Sequence, residues 1–82
     1  MNAFEAYKLF VKKIPLNNKV VIRCFEYNSM FTFELGRSEH TNKSMLGSVY
    51  CVDKQTGKVG VFQPFDISLV EYNAGKEVKN FK

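Results

Sequence analysis

Few side chains in this chain could do chemistry, and they are scattered. The two cysteines, Cys24 and Cys51, lack the Cys-x-x-Cys spacing of zinc or redox sites. The single histidine, His40, lies in a polar run beside Glu39, Thr41 and Asn42, with no metal-ligand spacing around it. A cysteine–histidine nucleophile pair would need that run to fold onto a strand, and no residue pattern requires it. Glu26 and Glu34 fall on neighbouring predicted strands and could approach each other across a hairpin. Edge solvation accounts for them, because no companion acid, base or pocket accompanies them. Gly57-Lys58-Val59-Gly60 carries two glycines, but within a hairpin rather than between a strand and a helix, where a phosphate loop belongs. The expectation is a non-enzyme with no catalytic residue, cofactor or metal.

Composition narrows the class further. Eighty-two residues make one domain with a small core. The chain is 45% hydrophobic and 24% charged, which is ordinary for a globular protein. Eight phenylalanines and no tryptophan raise the aromatic share to 15%, and large rings suit a small core. The net charge is +4, carried mostly by lysines spread along the chain, with only Arg23 and Arg37 as arginines. Spread lysines read as a solvated surface, whereas nucleic-acid binders cluster their cations and favour arginine. The opening residues lack the basic and apolar blocks of a signal peptide, and no apolar run nears the roughly 20 residues of a membrane span. Free, buried thiols in a reducing cytoplasm follow as the expectation, with no membrane partner.

The elements that must position these groups can be read in order. Asn2 and Glu5 form a capping box, and Ala3, Tyr7, Phe10, Val11 and Ile14 recur at helical spacing. Pro15 stops that helix at Ile14. Strands are predicted over 19–27, 30–35, 45–52 and 58–63. In the first, Val20, Ile22 and Cys24 share one face and Val21, Arg23, Phe25 and Tyr27 the other. In the second, Phe31, Phe33 and Leu35 alternate against Thr32 and Glu34. The run from Gly36 to Ser44 is a polar loop. Asp66 is the expected N-cap of a short second helix with Ile67, Val70 and Ala74 on one face and Gly75 closing it. The tail from Lys76 is expected to fray unless Val78 and Phe81 pin it. The fold class is α+β: an N-terminal helix packed on a four-stranded antiparallel meander, with a short C-terminal helix.

The clearest hairpin joins the last two strands. Asp53 can bond backbone groups ahead of it, and Gly57 suits the left-handed position that closes the turn. The motif Val52-Asp53-Lys54-Gln55-Thr56-Gly57-Lys58-Val59 resembles the Asp-x-x-Thr-Gly-x-Val hairpin of PepSY-type domains. It also resembles small bacterial immunity proteins that neutralise polymorphic toxins. PepSY domains are usually exported, so the unexported reading of this chain favours an immunity-like or phage-borne protein.

The resulting expectation is a small cytoplasmic module that binds another protein without catalysis. The candidate contacts are the loop residues Arg37, Glu39, His40 and Lys43 and the hairpin residues Lys54 and Gln55, since loops on a rigid scaffold commonly carry recognition. The open edges of a four-stranded sheet also leave room for a homodimer. The alternative is a single-stranded nucleic-acid binder that stacks bases on a sheet face lined by Phe31, Phe33, Tyr50 and Phe62. The favoured reading of those rings is the core beneath the first helix, which a chain this small needs.

Overall fold

The computed structural model describes residues 1–16, 19–37, 49–63 and 65–82. Helix α1 (Ala3–Lys13) begins on the expected capping box: the Asn2 carboxamide accepts from Glu5 N–H, and Glu5 Oε1 accepts from Asn2 N–H. Its C-cap is Ile14, in extended geometry before Pro15. Strands β1 (Lys19–Glu26), β2 (Met30–Arg37), β3 (Val49–Asp53) and β4 (Val59–Val61) follow. They form the expected antiparallel meander. Helix α2 (Leu69–Asn73) comes next, and a short strand β5 (Lys76–Glu77) then pairs with β1, giving the order β4-β3-β2-β1-β5. The fold is α+β, with five strands among the described residues rather than the expected four.

Val78 and Phe81 pin the tail, the outcome the sequence left open against fraying, and the unforeseen part is the fifth strand. Val78 N–H donates to Cys24 O at 2.8 Å, continuing the β5 ladder. Phe81 then folds back under α1, 5.4 Å from the Tyr7 ring and 5.8 Å from Phe33. Two local choices carry this. β1 offers an unpaired edge, and Phe81 gains burial that a lysine-rich tail cannot find elsewhere.

One face of the sheet packs on α1. Phe10, Phe31, Phe33, Val52 and Cys24 are fully buried there, and Phe10 stacks on Phe33 with ring centres 5.0 Å apart. Phe31 and Phe33 are therefore core, and Tyr50 packs against Phe10 from the same face. Of the four rings expected to share a face, only Phe62 lies elsewhere, against Tyr27 and Ile67.

A register shift between Val21 and Arg23 splits the first strand's faces differently from strict alternation. Val21 and Cys24 both join the α1 core, while Arg23, opposite Glu34, faces the other side. The Ile22 side chain reaches into the space where residue 36 would carry a Cβ, and Gly36 leaves room for it. The same registers place Glu26 opposite Phe31 and Glu34 opposite Arg23. Glu26 and Glu34 thus point to opposite faces and do not approach each other.

Candidate binding surface

Tyr27 organises the second face of the sheet. It is buried, and its ring stacks with Phe25, Phe62 and Tyr72 at 6.3, 6.4 and 5.8 Å between centres. Residues 25 and 27 share this face because they are two apart on a strand. Phe62 arrives from the end of β4, and Tyr72 from α2. The backbone of Gly75 lies against the Tyr27 ring so closely that a Cβ there would collide with it. Burial raises the Tyr27 phenol above its ordinary value, and the nearby Tyr72 adds to this, against a smaller lowering by the hydrogen bond with Thr32.

α2 sits beside this stack with almost no burial of its own. Ser68, not Asp66, is its N-cap, accepting from Glu71 N–H at 3.1 Å. Asp66 instead accepts from Gln63 N–H at 2.9 Å, closing the preceding turn. Ile67 is buried before the helix begins, while the helix exposes Leu69 and Val70. The sequence expectation that Val70 and Ala74 share a buried face with Ile67 is therefore overturned. The turn leading into the helix seats Ile67 beside Tyr27 and Met30, and a helix of barely more than one turn adds no buried residue of its own. Phe65 is 82% exposed, Leu69 73%, Val70 80% and Tyr72 51%. The clue available in the sequence was the adjacent pair Leu69-Val70, separated from Ile67 by Ser68 alone, in a segment too short to bury all three.

Polar contacts fix this apolar segment to the sheet end. Glu71 Oε2 accepts from Ser29 N–H at 2.7 Å and from the Ser29 hydroxyl at 2.8 Å. Lys54 Nζ donates to Glu26 Oε2 at 2.8 Å and lies 4.9 Å from the Phe31 ring centre. Lys54 N–H also donates to Ser29 O. Between these groups is an open depression of about 590 Å³ whose wall includes Asn28, Ser68 and Lys76. Its central charges are already partnered, so it reads as the polar border of the α2 surface rather than a seat for acid–base chemistry.

Of the expected contact residues that are described, Arg37 lies at one end of β2 and the hairpin pair Lys54 and Gln55 beyond the other. Lys54 is half-buried and held by Glu26, so it braces the hairpin tip instead of presenting a free cation. Gln55 is exposed beside it. Arg37 is the last residue of β2, paired with Lys19. Glu39, His40 and Lys43 lie outside the described residues. The hairpin itself forms as expected: Asp53 Oδ1 accepts from Gln55 and Thr56 N–H at 2.7 and 2.9 Å, and Gly57 has φ 76°. Those N–H groups hold the Asp53 carboxyl below its ordinary value. Cys24 is buried on the α1 face and its thiol is pushed up to about 12 by burial, with a further rise from Glu26. Cys51, on the opposite face, is also raised, chiefly by burial.

Among the described residues no group of three or more His, Cys, Asp or Glu could hold a metal ion. No described helix is long and apolar enough to cross a membrane. No protein-family model, curated protein or solved structure matches this chain.

Proposed function

We propose that this chain is a small non-enzymatic protein-binding module, acting in the cytoplasm as an immunity-like or phage-borne protein that neutralises or modulates its partner. One observation carries this reading: Phe65, Leu69, Val70 and Tyr72 expose large apolar side chains within one short segment. Grouped exposed apolar residues on a monomer mark interaction surfaces, and aromatic residues dominate binding energy at such surfaces. The Ser29–Glu71 clamp holds the segment in place before any partner arrives, which reduces the ordering cost of association.

The test is a photo-crosslinking residue placed at Leu69 in cells, followed by reconstitution of the captured complex from purified components. The expected result is a stoichiometric protein complex that Leu69→Asp or Val70→Asp weakens at least about tenfold, with melting temperatures unchanged. Crosslinks that fail to reconstitute, or variants that bind as well as the wild type, would overturn the reading.

A second reading, single-stranded nucleic-acid binding, has one observation in its favour. Phe25, Phe62 and Tyr72 form a half-open aromatic strip with Arg23 at its rim. These rings stack on Tyr27 rather than standing apart, and Arg23 is held by Glu34 at 3.1 Å. Protein binding is therefore the preferred reading.

A further inference from the structure

Among the described residues β4 is an edge strand, and its backbone chemistry is half used there. In an antiparallel pair, alternate residues direct N–H and C=O toward the partner strand. Lys58 O accepts from Asp53 N–H and Phe62 N–H donates to Val49 O, each at 2.9 Å. Gly60, opposite Cys51, is in the same phase. Val59 and Val61 therefore turn their N–H and C=O groups away from the sheet, where no described strand pairs with them. Val61 is 57% exposed.

A charged groove runs beside this edge. The last turn of α1 contributes Lys12 and Lys13, and the hairpin contributes Lys58, around a groove of about 800 Å³ floored by Leu9 and Val59. All three lysines are exposed, and the ion pairs among the described residues use Arg23, Lys54 and Lys79 instead. Asp53, also at the groove, has its carboxylate committed to the turn.

We propose that the β4 edge takes an extended, acidic segment of a partner protein as an added strand. The edge supplies alternating donors and acceptors that a peptide backbone matches and a phosphodiester chain does not. The lysines supply the complement for acidic side chains on the α1 side of that strand. A second copy of this chain is disfavoured, because pairing β4 with β4 brings both sets of three lysines to one seam. This surface uses different residues from α2, so either proposal can fail alone.

The probe is a synthetic peptide alternating glutamate with valine. Its controls are the lysine–valine counterpart and the glutamate peptide N-methylated at alternate residues. The glutamate peptide is expected to bind, to slow hydrogen exchange at the Val59 and Val61 amides, and to bind more weakly as salt rises. Both controls are expected to bind at least about tenfold more weakly. Lys12→Glu and Lys58→Glu should each lower affinity about tenfold. Val61→Pro removes an outward N–H without touching the β3 ladder, and should do the same. Failure of the glutamate peptide to bind, or equal binding by its N-methylated form, overturns the proposal. So does tighter binding of oligo-dT that leaves Val59 and Val61 exchange unchanged. Self-association abolished by Val61→Pro would assign the edge to a second copy instead.

Discussion

Glu71 receives both the N–H and the hydroxyl of Ser29, tying the middle of α2 to the β1–β2 turn across forty-two positions of sequence. α2 has no buried residue of its own, so this carboxylate is a principal anchor of the helix. Glu71→Ala is expected to lower global stability by about 1 kcal/mol, since hydrogen bonds to a charged group are worth more than that only when desolvated. The larger effect should be local. Amide exchange across Leu69–Asn73 should accelerate while β2 amides stay protected. Unchanged exchange in α2 would show that Ile67 and Tyr72 hold the helix alone.

Phe33 lies at the centre of the core, between Phe10, Tyr7 and Phe81. Phe33→Ala should cost about 3–5 kcal/mol in chemical denaturation, a large part of the stability of so small a domain. A denaturation midpoint equal to that of the wild type would contradict the packing of α1 on this face.

Gly75→Ala should be destabilising by about 1–3 kcal/mol, because the new methyl group must displace the packed Tyr27 ring. Gly60→Ala is the control, since nothing lies within 4 Å of a Cβ built there. Near-ultraviolet circular dichroism should report the disturbed Tyr27 stack in the first variant and not in the second.

Acid sensitivity should pass through the hairpin. The folded Asp53 carboxyl titrates below its ordinary 3.8, because Thr56 and Gln55 N–H groups donate to the ionised form. Its contribution is thus fully present above 3.8 and is lost as pH falls through the lower folded value. Melting temperature followed downward past 3.8 should fall more steeply for the wild type than for Asp53→Asn. Parallel curves would show that the turn's stability does not depend on this charge.

The thiols should be free and unequal. Cys24 and Cys51 face opposite sides of the sheet with β2 between them, so they cannot pair within one chain. Cys24, with its thiol near 12, should react with a thiol reagent more slowly than half-buried Cys51 in the native protein. Both should react rapidly in denaturant. Equal native rates would mean that Cys24 is far more accessible than its burial implies.

Local chemistry was sufficient for much of this molecule. The Asn2–Glu5 capping box, the stop at Pro15 and the Asp53–Gly57 turn involve groups within a few residues of each other, so residue type alone specifies them. Alternation in β2 likewise placed Phe31, Phe33 and Leu35 on the core face. What the sequence left open depends on contacts between distant segments. The register shift near Ile22 moved Val21 beneath α1, and periodicity in one strand cannot report a bulge set by pairing with Gly36. Strand β5 exists because β1 had an open edge and Phe81 a core to enter. The exposed Leu69 and Val70 follow from competition: Ile67 filled the one space available beside Tyr27 and Met30, and the rest of α2 was left on the surface. Apolar residues are legible one by one in a sequence, but which of them finds room inside is decided only when the whole core is packed.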